Sequence, residues 1–496
     1  MINSFITAKI HNNFGFAPTS EQSEAIEMIG DFLMSRRDME LFLLRGYAGT
    51  GKTTLVGALV KTLVELNQPV VLMAPTGRAA KVFASYAGQP AYTIHKRIYR
   101  QKSITDTESF SLNVNLSKHT LFIVDEASMI ANDGLSSSVF GTGRLLDDLI
   151  QYVYSSEGCR LMLLGDTAQL PPVGEEESPA LMPSLLASYG LHVYEKTLTQ
   201  VMRQLNESGI LYNATAIRYR LTAMQHGVET EDGLTHTDIV PSADVSHVTG
   251  GDLIDSLETS YSRWGADDCM IICRSNKRAN IYNQGIRNRI LYREEELCSG
   301  DRIMVVKNNY YWVEREQRAL IAEAKERGEA VLPSLPFSFI ANGDIAVVRR
   351  VRRTRELYGF RFADVLLRFP DYDDYEMETT VLLDTLQSES PSLTKEESER
   401  LFQSVMDDYA HITTKKERYK QLRLDPHFNA LQIKYAYAVT CHKAQGGQWG
   451  CIYLDQGYLP PDSSLIDYYR WLYTAFTRAS EQVYLVNWPN SSSTSK

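Results

Sequence analysis

One short segment constrains this chain more than any other: an apolar run, Leu41-Phe42-Leu43-Leu44, that leads into Gly46-Tyr47-Ala48-Gly49-Thr50-Gly51-Lys52-Thr53. The pattern GxxxxGK[ST] is followed by a second apolar stretch, Leu55 to Leu66. It therefore needs a strand, a tight glycine loop and a helix, in that order. Glycines let backbone N–H groups turn inward around phosphates, and the helix N-terminus adds partial positive charge. Lys52 is expected to reach the β- and γ-phosphates and the Thr53 hydroxyl to hold Mg²⁺. Gly49, Thr50, Gly51 and Thr54 complete the expected nucleotide-binding loop.

Further apolar runs at Val70–Met73, Leu121–Val124 and Arg160–Leu164 read as buried strands. Helical stretches alternate with them, the pattern of an α/β fold with a parallel sheet. Each run ends near a glycine, proline or carboxylate, and ligands of such sheets collect at those carboxyl ends. Leu121–Val124 runs into Asp125-Glu126. Asp125 suits the magnesium shell, and Glu126 suits activation of a hydrolytic water. Together the two motifs imply Mg²⁺-dependent hydrolysis of a nucleoside triphosphate, ATP.

Composition limits the other classes. The 496 residues are 44% hydrophobic and 23% charged, which suits a folded chain of several domains and excludes wholesale disorder. No apolar run approaches the ~20 residues of a membrane helix. Met1 to Phe16 carries the polar breaks Asn3, Lys9, His11 and Asn12 and does not read as a secretory signal. A cytoplasmic protein with reduced, mostly buried thiols is expected, because the six cysteines form no CxxC pair. The net charge of −10 excludes indiscriminate polyanion binding but allows a basic groove on an acidic body.

Resemblance extends the reading from hydrolysis to work. Asp125-Glu126-Ala127-Ser128 with Gly165-Asp166-Thr167-Ala168-Gln169-Leu170-Pro171-Pro172-Val173 resembles helicase motifs II and III of superfamily 1. Thr19-Ser20-Glu21-Gln22 is similar to the Q motif, which assigns Gln22 to adenine. Ala74–Ala80 is similar to motif Ia, Thr93-Ile94-His95 to motif Ib, and Leu198–Gln204 to motif IV. Tyr435–Gly446 and Tyr473–Ala479 are similar to motifs V and VI, and Asn342-Gly343-Asp344 matches a further feature. The ordered set, from Thr19 to Ala479, resembles the RecD-type DNA helicases of superfamily 1B. The resemblance implies unwinding of duplex DNA by a motor moving 5′ to 3′ on a single strand; repair, recombination, replication restart and mobile-element maintenance all stay open as the pathway it serves. The residues alone do not fix that direction.

The resemblance also implies site residues. Arg203 and Arg478 are expected at the γ-phosphate, where such arginines contribute ~10³–10⁵ in rate. Gln169 reads either as a γ-phosphate sensor or as a turn cap, and Arg478 has a surface ion pair as its plainer alternative. Thr76, His95, Thr440, His442 and Lys443 are the expected grip on DNA, with donors to phosphate that do not read sequence. For His95 an ordinary loop histidine is the other reading. In the insertion Lys96 to Ser117, where the family carries a β-hairpin wedge, Phe110 is the candidate tip aromatic and Tyr99 its rival. Packing of the hairpin onto the first lobe is the other reading of Phe110. Gln448 stands where the family often has a ribose-binding acid.

The expected fold class is α/β: two RecA-like P-loop NTPase lobes with parallel sheets, a small β-hairpin wedge insertion, and a β-rich module inserted in the second lobe. The first lobe is expected over 1–95 and 118–197, the wedge over 96–117, and the second lobe over 198–300 and 431–489. A small β-barrel-like module with helices is expected over 301–430, and a disordered serine-rich tail over 490–496. The basic run Arg349–Arg355 and the acidic run Asp371–Glu378 read as solvated faces. Expected partners are single-stranded and partially duplex DNA, with a monomeric chain and no membrane. The extended N-terminal domain of many RecD-type proteins is missing from this sequence, which argues against a subunit that docks through it. A remodelling ATPase without efficient unwinding and an RNA-directed motor are the two other functions the motifs allow.

Overall fold

The computed structural model describes residues 2–103, 106–132, 141–201, 208–225, 227, 239–328, 335–337, 339–459 and 464–488, with the backbone alone for 2–3, 101–103 and 106–110. The first lobe begins with strands β1 (Glu40–Gly46), β2 (Val70–Ala74) and β3 (Ala91–Thr93). A two-stranded antiparallel hairpin follows, β4 (Tyr99–Ser103) and β5 (Asp106–Leu112). Then come β6 (Leu121–Val124), β7 (Arg160–Gly165) and β8 (His192–Leu198). All strands but the hairpin form one parallel sheet in the order β3-β2-β6-β7-β1-β8. Its strands are apolar on both faces because helices cover both. Leu41 and Leu43 enter one core cluster, while Phe42 and Leu44 enter the cluster on the opposite face.

The second lobe is built from β9 (Val245–Val248) and β10 (Cys269–Cys273), joined later by three more strands. Between them the chain makes a closed barrel of β11 (Arg302–Val305), β12 (Ile345–Leu357), β13 (Phe360–Phe369), β14 (Tyr375–Leu382) and β15 (Leu431–Tyr435). It then returns as β16 (Ala438–Thr440), β17 (Trp449–Asp455) and β18 (Ala479–Val486). The second parallel sheet runs β16-β10-β17-β18-β9. The two-sheet α/β architecture with a hairpin and a β-barrel is therefore the one expected from the sequence.

One boundary moves. β15 pairs with β11 and β14, so the barrel extends to Tyr435 and not to 430. The basic residues Arg349, Arg352 and Arg355 lie on β12 and pair with Glu376, Glu378 and Asp364 at 3.0, 2.6 and 2.6 Å. Two arginines of the basic run thus pair with the acidic run, and a third pairs with Asp364 on β13. The tail 490–496 lies outside the described residues.

A buried ionic network fixes the barrel to the second lobe. Asp301 accepts both a bidentate pair from Arg287, at 3.0 and 3.0 Å, and a bond from Arg293 at 2.6 Å. Cys298 N–H and Tyr437 Oη also donate to it, at 2.7 and 3.1 Å. Removing the carboxylate would leave two guanidiniums without their counter-charge, one of them almost fully buried. Breaking such a pair costs roughly 3–5 kcal/mol. Asp301→Ala should therefore lower the urea midpoint of the far-UV circular dichroism transition, and an unchanged midpoint would contradict this role.

Candidate nucleotide site and strand track

The carboxyl ends of β1, β6 and β7 face the second lobe across a cleft of about 980 Å³. The phosphate loop needs two left-handed residues, and glycines supply them: Gly49 at φ 77° and Gly51 at φ 76°. Space adds to the demand, because a Cβ on Gly49 would stand 2.7 Å from Leu211 of the second lobe. Lys52 Nζ donates to Gly46 O at 3.0 Å and Gly165 O at 3.3 Å, which holds the ammonium inside the loop. Thr53 and Thr54 open the following helix and are exposed to the cleft. Thr50 is buried, its hydroxyl bonded to Tyr47 O at 2.8 Å.

Gln22 is fully buried and has two tasks visible in the fold. Its Oε1 accepts Thr19 N–H at 2.9 Å, closing a capping box on helix Ser20–Met34, and its Nε2 donates to Thr50 O at 2.9 Å. It thus ties helix Ser20–Met34 to the phosphate loop while lining the cleft.

The acids sit where β6 and β7 end. Burial raises the Asp125 pKa, and the neighbouring Glu126 carboxylate adds to the rise; Lys52 and Tyr86 oppose it. Tyr86 Oη donates to Asp125 Oδ2 at 2.6 Å, and Glu126 N–H to Oδ1 at 2.8 Å. Glu126 itself takes φ 51°, a left-handed conformation that bulky residues seldom adopt. Arg478 is 4% exposed and reaches it across the cleft, Nη1 to Oε1 at 3.7 Å. Arg478 is otherwise held by carbonyls of its own lobe, Thr474 O at 3.1 Å and Gly447 O at 3.4 Å. Gln169 is buried on the cleft wall, and its Oε1 has no hydrogen-bond partner among the described residues. Gln448 is exposed and lines the same cleft.

Several linking residues escaped the sequence reading. Tyr473 Oη accepts Ala48 N–H at 2.8 Å and donates to Asp166 Oδ2 at 2.7 Å. Thr474 Oγ1 accepts Leu170 N–H at 2.8 Å, and Gln445 Nε2 donates to Leu170 O at 2.8 Å. The loop after β7 is therefore stitched to the second lobe at Asp166 and Leu170. Motif matches contained these residues, but their partners lie hundreds of positions away in the other lobe.

The expected strand contacts lie elsewhere than the nucleotide cleft. Thr76 caps helix Gly77–Ala87, accepting Ala79 N–H at 3.2 Å, and faces Gly446, whose Cβ would come within 3.2 Å of Thr76 Oγ1. Arg78 stacks on Trp449, 4.1 Å from the ring centroid, and donates to Gln448 O at 3.1 Å. Thr440, His442 and Lys443 begin the short helix Cys441–Ala444, with His442 exposed. Burial lowers the Lys443 pKa to about 8, and buried Lys434 shows the same shift to about 8, with Lys443 as its charged neighbour. His95 packs against Tyr99 and Phe339, 5.7 and 6.2 Å between ring centroids, and burial lowers its pKa to about 4. It is a neutral ring at physiological pH.

The hairpin follows directly. Phe110 lies in β5 opposite Gln101, within the strand rather than the turn; its side chain is outside the described residues. Tyr99 is buried and donates to Asp148 Oδ2 at 2.7 Å, so it packs the hairpin root onto the first lobe. Arg203 lies outside the described residues, with Met202 and Gln204 of the same motif, while Leu198 to Val201 are described.

Residues 18–231 match the AAA domain family, and residues 435–486 the UvrD-like helicase C-terminal domain. The ATP-dependent RecD2 DNA helicase of Deinococcus radiodurans is 31% identical over 35% of this chain and 21% of its own length. The ATP-dependent DNA helicase dda of Enterobacteria phage T4 is 25% identical over 53% of this chain, which spans about half, 55%, of that relative. The structure of Pif1 helicase from Bacteroides, in complex with ADP-AlF3 and ssDNA, aligns over 96% of this chain and 94% of its own with 16% identity and a TM-score of 0.43. Among the described residues no helix is long and apolar enough to cross a membrane. Apart from Asn342-Gly343-Asp344, the motif series thus falls, in order, inside two matched segments, an AAA domain over 18–231 and a UvrD-like helicase C-terminal domain over 435–486, and the relatives named are ATP-dependent DNA helicases.

Proposed function

We propose that this chain is an ATP-driven DNA helicase that moves 5′ to 3′ on a single strand and unwinds the duplex ahead of it. The observation that carries the reading is the Arg478–Glu126 pair, 3.7 Å across a cleft that also holds Lys52. An arginine from one lobe facing the base of the other is a group waiting for a γ-phosphate. Phosphate entry gives Arg478 a stronger, doubly charged partner and frees Glu126 to accept a proton from the attacking water. Lobe closure then depends on whether the γ-phosphate is present, and that dependence is what a motor requires.

The remaining roles follow from position. Lys52 neutralises the β- and γ-phosphates, and the N–H groups of Gly49 to Thr54 cradle them. Mg²⁺ fits this site, since it is usually held by one or two carboxylates together with substrate phosphates. Among the described residues no cluster of three or more acidic, histidine or cysteine ligands offers a dedicated metal cage. Thr53 and Asp125 would hold the ion, which supplies charge neutralisation at the phosphates. The orphan Oε1 of Gln169 is placed to accept from the attacking water, Gln22 borders the adenine end, and Gln448 is the neutral group offered to the sugar. Arg203 stays the second proposed arginine on its motif alone.

DNA is proposed to cross both lobes over Thr76, Thr440, His442 and Lys443, with His95 supporting the hairpin side and Phe110 on the hairpin itself. Lys52, Glu126 and Arg478 all come from one chain, so a monomer suffices for the chemistry. ATP turnover stimulated by single-stranded DNA tests the proposal, with Lys52→Ala as the control. The wild type should be stimulated severalfold and the variant should lose turnover while keeping its circular dichroism spectrum. Undiminished turnover in the variant would sink the site assignment.

Lys443 supplies a pH signature. An ammonium with a pKa near 8 is charged at pH 7 and largely neutral at pH 9, so its phosphate contact weakens as pH rises. Affinity for oligothymidylate should fall between pH 7 and pH 9, and Lys443→Arg should flatten that profile. A profile of the same slope in the arginine variant would remove Lys443 from the strand contact.

A further inference from the structure

A second cavity lies far from the ATP cleft, in the barrel module. It has a volume of about 860 Å³ and sits between helix Tyr311–Glu326 and two helices inserted between β14 and β15, Lys395–Asp408 and Lys415–Leu424. Its walls hold six cations and two carboxylates, on a chain whose net charge is −10. Internal pairing accounts for only part of that excess. Arg318 pairs with Glu314 at 3.2 Å and Lys420 with Glu417 at 3.2 Å. Lys307, Arg315 and Lys395 have no ion-pair partner among the described residues, and each comes from a different element.

The cavity is a built one. Tyr311 Oη donates to Leu424 O at 3.0 Å, Trp312 Nε1 to Asn429 O at 2.8 Å, and Asn309 Nδ2 to the same carbonyl at 2.9 Å. These bonds set the spacing between the walls before any ligand arrives. The floor is aromatic: Phe402 packs against Phe428 and Tyr419, with ring centroids 6.3 and 5.9 Å apart. Cations around an aromatic floor match the chemistry of a phosphate-linked chain of bases, with phosphates on the rim and a base against a ring. A duplex, whose bases face inward, offers no such face. The position agrees. Tyr310 on the cavity wall stacks on Phe339 at 4.8 Å, Phe339 meets His95 at 6.2 Å, and His95 meets Tyr99 at the start of β4 at 5.7 Å. A continuous row of rings therefore joins the cavity to the root of the hairpin.

We propose that this cavity is a second binding site for single-stranded nucleic acid, receiving strand that passes the hairpin, with Lys307, Arg315 and Lys395 on its phosphates and Phe402 against a base. The inference rests on the DNA-motor reading but concerns residues outside the motor cleft.

The test is salt dependence of binding, measured by anisotropy with two fluorescent oligothymidylates on the full chain. One is short enough to span the two lobes alone, and the other is long enough to reach the barrel as well. Each phosphate contact on a single strand contributes ~0.7 to the slope of log K against log salt. The double variant Arg315→Glu/Lys395→Glu changes exposed residues and leaves the cleft untouched. It should flatten the slope for the long strand by about 1.4, with the short-strand slope and the DNA-free ATP turnover unchanged. An unchanged slope on the long strand would overturn the second site while leaving the motor reading intact. Equal flattening on both strands would also overturn it, by assigning these cations to the main track. Failure of the wild type to bind either strand would remove the second site together with the reading on which it rests.

Discussion

One hydroxyl holds the two halves of this molecule in working relation. Tyr473 Oη takes a hydrogen bond from Ala48 N–H in the phosphate loop and gives one to Asp166 at the end of β7. Asp166 is buried, which raises its pKa, while Lys52 and the Tyr473 hydroxyl favour its charged form. A buried carboxylate left without such partners would be costly. The second lobe therefore does more than cover the nucleotide cleft: it completes the hydrogen bonding of the first lobe's own loops. Thr474 and Gln445 extend the same dependence to Leu170. Helix Leu465–Phe476, which carries Tyr473 and Thr474, also meets the helix Cys441–Ala444, where Cys441 Sγ donates to Trp471 O at 3.5 Å.

Much of this was legible in the sequence because the relevant signals are local. A strand, a glycine loop and a helix follow one another without a break from Glu40 to Glu65, and the alternation of Leu41 to Leu44 between two cores follows from the period of a strand. The acids after β6 are local too. What stayed hidden was pairing at long range. Asp166 and Tyr473 lie 307 positions apart, and Ala48 and Tyr473 lie 425 apart, so the motifs named the residues without naming their partners. The barrel boundary was missed for a different reason. Leu431–Tyr435 and Ala438–Thr440 stand only two residues apart, and those two residues carry the chain from the barrel to the second sheet. Periodicity has no mark for a strand that changes sheets.

The charge of the chain also resolves on the structure. A net charge of −10 opposes a partner made of phosphates unless the cations are gathered locally. Much of the barrel's basic run is spent on its own carboxylates along β12 to β14. The cations proposed to meet phosphate are few and placed: Lys52 in its loop, Arg478 across the cleft, Lys443 beside Lys434, and the ring of cations in the barrel cavity. Acidic surface elsewhere limits unspecific binding, and local basic walls supply the grip.

The central claim is that hydrolysis in the cross-lobe cleft drives this chain along one strand in one direction. Strand separation on two fluorescent partial duplexes, one with a 5′ tail and one with a 3′ tail, tests it most directly. The account predicts ATP-dependent opening of the 5′-tailed duplex alone. Opening from the 3′ tail alone, or ATP turnover with neither duplex opened, would contradict it.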